Sequence, residues 1–297
     1  MILMSRPIRR REFLQGVAVA AVLSSVPGAS NAEDAAGRSR TGQEAMTRDI
    51  VMLHGASAGG WCFDAFRRVF EGLGWTVHTP DLIGHGRDKA GADQKLVGMG
   101  LTEYRAQFAE ALSKLPPQPV LLGHSMGALL AQQLAVSGVV RALVLVSPAP
   151  RAGILPSSDS EKDLSQSLMG IASFWKTVIN PDFDFACFYS LNRVPKDEQR
   201  AVFDQFGPES GLAYFQMFFW MLNKTLASAV KTEAVHCPVL CLSGTDDNLC
   251  RLRPRVPQRC HIAMRNSGKS LATATCWWSS PAQRILPAAS KTGSRPK

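Results

Sequence analysis

The strongest constraint in this sequence is the turn Gly123-His124-Ser125-Met126-Gly127, which lies between a strand-like run and a helix-like run. The apolar segment Val120-Leu121-Leu122 precedes it, and Ala128-Leu129-Leu130 follows it. A glycine two positions before and two after a serine removes side chains that would clash where a strand turns sharply into a helix. Such a turn lifts the hydroxyl clear of a sheet and points the first amides of the helix at a developing oxyanion. The pattern predicts a strand–turn–helix unit with Ser125 as a candidate nucleophile.

Short apolar runs alternate with amphipathic runs along the chain, which is typical of βαβ units and of a mainly parallel sheet. The predicted strands are 50–53, 76–79, 119–122, 142–146 and 238–242. The predicted helices are 63–73, 102–115 and 128–136. Runs that are apolar at nearly every position are typical of strands covered on both faces. The sequence therefore predicts an α/β fold.

Residues 151–232 have a different pattern, with helix-like stretches rich in aromatic residues and no predicted strand. We expect an insertion of this size to form a helical cap over the carboxyl edge of the sheet, where ligands bind in open α/β sheets. The predicted organisation is a core at 48–150, a cap at 151–235, and a core strand with an acid loop at 236–249.

Two further motifs accompany the turn at Ser125. His54-Gly55 follows the first predicted strand, and Asp81-Leu82-Ile83-Gly84-His85-Gly86 follows the second. Together the three motifs make residues 48–249 resemble the α/β-hydrolase superfamily, in particular its capped serine esterases and hydroxynitrile-lyase-like members. The resemblance implies a mainly parallel sheet with a helical cap. It also favours loop-bracing roles for His54 and His85, while a proton-transfer role of His54 stays open.

The same resemblance implies the remaining site residues. The backbone N–H groups of Ala56 and Met126 would form the oxyanion hole. The acid of this superfamily follows the strand after the cap in a Gly-x-x-Asp pattern, which selects Asp247 over Asp246. Its role would be to orient a histidine and to stabilise the imidazolium. Since the order is serine, acid, histidine, His261 is the candidate base.

The last segment, 250–297, departs from the superfamily pattern. Thirteen residues that include Pro254 and Pro257 separate Asp247 from His261, too few for the helix and strand that the superfamily places there. The segment holds seven Arg, three Lys and no acidic residue. We hypothesise a reading-frame shift after Asp247, and the alternative is a divergent tail. The last strand and helix of the fold are therefore not evident in the sequence.

The first segment, 1–32, resembles a twin-arginine export signal. Arg9-Arg10-Arg11 runs into Glu12-Phe13-Leu14-Gln15, an apolar stretch follows at 16–26, and Ser30-Asn31-Ala32 offers a cleavage site. We expect a linker at 33–47, a bacterial periplasmic or secreted product, and no membrane span after signal removal. The net charge of +9 comes from the two ends of the chain, so it does not indicate a nucleic-acid partner.

Three functions remain open from the sequence. The first is a serine hydrolase of a small, fairly apolar ester or related acyl substrate, with Ser125, Asp247 and His261 as the triad. The second is a catalytically silent or truncated α/β-hydrolase-like protein that lacks the histidine. The third is a hydroxynitrile lyase, which needs a cation near the cap that the sequence does not single out. We expect no cofactor, and the cysteine spacing does not indicate a metal site.

Overall fold

The structure is a computed structural model that describes residues 47–87, 89–155, 159–244 and 247–249. In chain order, its strands are β1 (Asp49–Leu53), β2 (Thr76–His78), β3 (Val120–His124), β4 (Ala142–Val146), β5 (Val178–Ile179), β6 (Glu209–Ser210) and β7 (Val239–Leu242). One sheet has the order β2-β1-β3-β4-β7, and each neighbouring pair in it is parallel. The predicted α/β fold with a mainly parallel sheet is confirmed, and the bounds of its predicted strands hold within two residues.

The α-helices of the described ranges are α1 (Asp64–Gly72), α2 (Ala92–Leu96), α3 (Leu101–Ser113), α4 (Met126–Ala135), α5 (Asp159–Met169), α6 (Phe183–Tyr189), α7 (Lys196–Phe203) and α8 (Gly211–Phe218). The three helices predicted in the core correspond to α1, α3 and α4. The short helix α2 was not predicted, because five residues are too few to show a helical period. Helix α4 begins two residues earlier than predicted, directly after Ser125.

Both faces of the sheet are covered by apolar side chains. Successive side chains of a strand point to opposite faces, so Val51 and Leu53 of β1 enter one hydrophobic layer while Ile50 and Met52 enter the other. The first layer contains residues of α3 and α4, and the second contains Phe70 of α1. Double coverage explains why the strands are almost continuously apolar in sequence.

The chain between β4 and β7 contains α5 to α8 and one short sheet. The prediction that residues 151–232 hold no strand was wrong, because β5 and β6 pair antiparallel, with Val178 opposite Ser210 and Ile179 opposite Glu209. Strands of two residues are too short to show the alternation that identifies a strand in a sequence. The boundaries given above for core and cap stay predictions.

Several predicted segments lie outside the described residues: the signal at 1–32, nearly all of the linker at 33–47, and the tail at 250–297 with His261. Among the residues that the structure does describe, none of the helices has the length and apolar character needed to cross a membrane.

Candidate active site

Ser125 lies at the tip of the turn between β3 and α4. Its backbone has φ 51° and ψ −119°, a conformation that non-glycine residues rarely adopt. The Ser125 N–H donates to the carbonyl of Val146 at 3.1 Å, and the Ser125 carbonyl accepts from the N–H of Ala149 at 3.1 Å. Strained backbone persists where surrounding structure over-determines it, and here the last residue of β4 and the loop after β4 hold the serine through both of its peptide groups.

The two glycines of the turn allow this geometry. A Cβ at Gly127 would lie 2.1 Å from the carbonyl oxygen of Leu53, and a Cβ at Gly123 would lie 2.5 Å from the Cα of Ala128. Both contacts are with backbone atoms of packed elements, which cannot move aside as a flexible side chain would. The glycines are therefore required because β1, β3 and α4 pass close to one another at the serine.

The loop after β1 also lies close to Ser125. A Cβ at Gly55 would lie 2.9 Å from the Cβ of Ser125, and the next residue, Ala56, lines the same cavity as the serine. Met126 is the first residue of α4, and the first N–H groups of a helix have no partner within it. The residues predicted to form the oxyanion hole thus belong to two segments that meet at Ser125.

Asp247 lies on the wall of this cavity, and its carboxylate accepts hydrogen bonds from Ser147 and Leu249. Its Oδ2 accepts from the hydroxyl of Ser147 at 2.5 Å, and its Oδ1 accepts from the N–H of Leu249 at 2.9 Å. Ser147 directly follows β4, as Ser125 directly follows β3, and the two strands are in register at His124 and Val146. Sequence reasoning missed Ser147, although its place at the carboxyl end of a strand was a usable signal.

Among the described residues, His124 is the histidine that lines the cavity. Burial lowers the pKa of the His124 imidazole to about 4, although the negative charge of Asp247 acts to raise it. The ring is therefore neutral near pH 7. Sequence reasoning passed over His124 because it occupies the variable position before the serine. The structure brings Ser125, Asp247 and Ala56 to one cavity, whereas His261 lies outside the described residues.

His54 is the first residue after β1, and it is fully buried. Its Nδ1 lies 2.8 Å from the Gly55 carbonyl, and its Nε2 accepts from the N–H of Leu82 at 3.1 Å. Burial, followed by the charge of His85, lowers the pKa of His54 to about 4. A neutral ring with Nδ1–H as donor satisfies both contacts. His54 therefore ties the loop after β1 to the loop after β2.

His85 links the loop after β2 to the inserted segment. Its Nδ1 lies 3.1 Å from the Ile83 carbonyl and its Nε2 lies 2.9 Å from Oε2 of Glu209. Both partners are acceptors, so both ring nitrogens donate and the ring is an imidazolium. Burial lowers the pKa of His85, but the charge and hydrogen bond of Glu209, the Ile83 carbonyl and the Asp81 charge raise it more, above its ordinary value. Sequence reasoning did not single out Glu209.

A cavity of about 490 Å³ opens at Ser125, a size that is ordinary for small-molecule sites. Loops at the carboxyl ends of the strands form its floor, and the insertion forms the opposite wall. Most of that wall is apolar, and it includes Leu164, Leu168, Ile179, Phe185, Met217 and Phe218. Glu161 and Arg193 of the insertion also line the cavity. Within the described ranges, no cluster of His, Cys, Asp and Glu is arranged to hold a metal ion.

Comparison with known proteins gives a family and several partial relatives. The profile described as "Alpha/beta hydrolase family" matches residues 50–286. A pyrethroid hydrolase of Sphingobium wenxiniae is 38% identical over 79 residues, which are 27% of this chain and 27% of that protein. A pimeloyl-[acyl-carrier protein] methyl ester esterase of Klebsiella pneumoniae is 33% identical over 103 residues, 34% of this chain and 37% of that protein.

These matches span only about a third or less of the chain and little more of the curated relatives. Among solved structures, tomato Methylketone Synthase I complexed with 2-tridecanone has a TM-score of 0.52 at 14% identity. That superposition covers 68% of this chain and 81% of the tomato chain. At this identity the likeness concerns the fold alone.

Proposed function

The chain belongs to the α/β-hydrolase family, and we propose that it is a carboxylic-ester hydrolase that uses Ser125 as its nucleophile. The observation that carries the proposal is the opening of the strained turn at Ser125 into a largely apolar cavity, with Ala56 and Asp247 on the wall. A small, fairly apolar ester fits this cavity in size and in character. The hydrolase and esterase relatives support the class of reaction.

The proposed mechanism has two steps. Ser125 Oγ loses its proton to a base and attacks the ester carbonyl carbon, and the oxyanion accepts hydrogen bonds from the N–H groups of Ala56 and Met126. The alcohol leaves with a proton from the base, and water then hydrolyses the acyl-serine. Asp247 orients the base, and the Ser147 hydroxyl holds Asp247 in place. We propose His261 as the base, with His124 as the competing candidate on the cavity wall.

Ester turnover by the purified protein tests this proposal. We expect hydrolysis of p-nitrophenyl acetate and butyrate, and a loss of at least about 10³-fold in kcat for Ser125→Ala. A comparison of His261→Ala with His124→Ala identifies the base, since only loss of the true base abolishes turnover. Undiminished turnover in Ser125→Ala would contradict the proposal, and a folded wild type without turnover would favour the catalytically silent alternative.

Hydroxynitrile lyase activity is the second candidate, because Arg193 of the insertion lines the cavity and supplies a cation near the cap. Glu161 lines the same wall, and its carboxylate would offset that charge. We therefore prefer ester hydrolysis. Release of cyanide from mandelonitrile, lost in Arg193→Met but with ester turnover retained, would reverse this preference.

We also propose that residues 1–32 direct export of the protein. The order of an arginine pair, an apolar stretch and a small-residue cleavage site supports it. Replacing Arg10 and Arg11 by lysine should retain the protein in the bacterial cytoplasm in cell fractionation. Unchanged recovery from the periplasm would contradict a twin-arginine signal.

A further inference from the structure

The carboxylate of Glu209 in β6 is fully buried and accepts four hydrogen bonds. Its Oε2 accepts from the N–H of Ser57 at 3.2 Å and from Nε2 of His85 at 2.9 Å. Its Oε1 accepts from the hydroxyl of Tyr104 at 2.7 Å and from the N–H of Ser210 at 2.7 Å. The side chains of Glu209 and His85 have no solvent exposure. This carboxylate therefore joins the insertion to three separate parts of the core.

The charge state of Glu209 suits that position. Burial raises the pKa of Glu209, but the charge and hydrogen bond of His85, with the bonds from Tyr104 and Ser210, lower it more, below its ordinary value. An ionised carboxylate is an acceptor only, and each of its four neighbours is a donor. A buried ion pair is weak evidence for a purely stabilising role, because desolvation offsets much of the attraction. A role in positioning gives a reason for this pair.

Glu209 contacts the oxyanion loop, defined as residues 55–57, through the N–H of Ser57. The Ser57 N–H belongs to the same rigid peptide group as the Ala56 carbonyl, so the bond from Ser57 to Glu209 fixes the orientation of that group. The Ser57 carbonyl accepts from the N–H of Gly207 at 2.9 Å, and Ser57 itself has φ 59°. Residues of the insertion thus hold both peptide groups of Ser57.

A third contact comes from α8. The side chain of Tyr214 forms a hydrogen bond with Ser57, which is buried at 8% exposure. Ser57 is therefore surrounded by the insertion, while Gly55, two residues before it, lies against Ser125. The oxyanion loop is a short bridge between the nucleophile and the insertion, so a shift at Ser57 moves Ala56.

We propose that Glu209 is a positioning residue for the oxyanion hole: it holds the peptide between Ala56 and Ser57 so that the Ala56 N–H faces the oxyanion at Ser125. This inference rests on the proposed ester hydrolysis. On this proposal, the oxyanion hole is complete only when Glu209 of β6 contacts the loops after β1 and β2. Because the oxyanion forms only in the transition state, a misplaced donor lowers kcat and leaves KM nearly unchanged.

The test compares Glu209→Gln with Glu233→Gln in the full chain. Glutamine keeps the shape of Glu209 but removes its charge and replaces one acceptor oxygen with a donor group. Glu233 is an exposed glutamate of the same insertion, so its variant makes the same charge change away from the loop. We expect Glu209→Gln to lower kcat for p-nitrophenyl butyrate about tenfold, less than the 10²–10³-fold cost of deleting an oxyanion donor. The KM of Glu209→Gln and both constants of Glu233→Gln should stay within about twofold of wild type.

Hydrogen exchange supplies a readout that does not depend on turnover. Amides of residues 54–60 should exchange faster in Glu209→Gln, with those of α4 unchanged, and Glu233→Gln should match wild type in both segments. A lowered melting temperature with unchanged kcat and unchanged exchange at 54–60 would overturn the positioning role. If wild type has no turnover, the proposed function fails, and exchange at 54–60 alone decides the inference.

A milder variant covers the case in which Glu209→Gln does not fold. Tyr104→Phe keeps the packed ring and removes one of the four donors to Glu209. We expect a two- to threefold fall in kcat and faster exchange at 54–60, as a partial loss of the same constraint. Wild-type values for both quantities in Tyr104→Phe would contradict the proposal.

Discussion

At the scale of single residues, the site depends on backbone atoms that come unusually close together. Gly127 shows this most directly, because its missing Cβ leaves room for the carbonyl oxygen of Leu53. We expect Gly127→Ala to lower the free energy of unfolding by about 3 kcal/mol or more, since packed backbone must shift. Gly72→Ala, at the end of α1, is the matched control: apart from the neighbouring backbone of its own helix, no atom lies within 4 Å of the new Cβ, and alanine favours a helix over glycine by up to about 1 kcal/mol. Urea unfolding measures the free energy of unfolding of both variants. Equal values for the two variants would contradict the close backbone contact at Gly127.

A second residue-scale prediction concerns the acid. Ser147→Ala removes the hydroxyl that donates to Asp247 Oδ2, while the bond from the Leu249 N–H remains. We expect kcat for p-nitrophenyl butyrate to fall about tenfold with little change in KM, because a less well fixed carboxylate orients the base poorly. Ser113→Ala, which removes an exposed hydroxyl on α3, should behave as wild type. A Ser147→Ala enzyme with wild-type kcat would exclude the support role of this hydroxyl.

Some residues of the site could be found from the sequence, whereas their long-range contacts could not. The positions of Ser125 and Asp247 beside one cavity could be anticipated, because Ser125 directly follows β3 in a local motif and Asp247 stands in a Gly-x-x-Asp pattern after β7. Their catalytic roles stay predictions. The strand-end position of Ser147 was visible in the sequence, but its bond to Asp247, 100 positions away, was not. The bond between Glu209 and Ser57, 152 positions apart, was not visible either. Contacts of that kind depend on the register of the sheet and on the path of the insertion, which no local pattern encodes.

At the scale of elements, the core was predictable and the insertion was only partly so. Most core strands (β1, β3, β4 and β7) are nearly continuous apolar runs of four to five residues, which is a strong local signal. In the insertion, β5 and β6 have two residues each, and their pairing brings Glu209 to the core. The elements that were hardest to predict are therefore the ones that connect the insertion to the oxyanion loop.

The pH dependence of stability reflects three histidines of the core whose pKa values are shifted: His54, His85 and His124. The pKa of His54 and of His124 is about 4, lowered mainly by burial. As the pH falls from 6.5 to 4, the unfolded chain binds more protons than the folded one, and stability falls by at most about 1.4 kcal/mol per pH unit for each. His85 has the opposite sign, since its folded pKa is raised. Its contribution is fully present below pH 6.5 and is lost as the pH rises through the folded value.

We therefore expect the free energy of unfolding in urea to be greatest near pH 6.5, and lower at both pH 4.5 and pH 8.5. The groups that face His85 are Glu209, Asp81, Tyr104 and His54, and Glu209 has the largest raising effect on its pKa. In Glu209→Gln, the decrease in the free energy of unfolding above pH 6.5 should disappear. A wild-type stability that keeps rising to pH 8.5 would contradict a protonated His85 in the folded protein.

At the scale of the whole molecule, the chain joins a family fold to an insertion that completes its cavity. The parallel sheet sets Ser125, Ser147 and Asp247 at the carboxyl ends of β3, β4 and β7, where open α/β sheets bind ligands. The insertion adds the apolar wall and the Glu209 contact. Fold class was predictable because it follows from many consistent local signals. The substrate was not, since one fold supports many reactions.

Covalent labelling is the measurement that shows whether Ser125 is an activated nucleophile. A fluorophosphonate probe loses fluoride when a serine oxygen attacks its phosphorus, which leaves one phosphonyl group on the protein. We predict a single adduct by intact-mass spectrometry, located by digestion on the peptide that contains Ser125 and absent from Ser125→Ala. An adduct on another residue, or equal labelling of Ser125→Ala, would show that Ser125 is not the activated nucleophile.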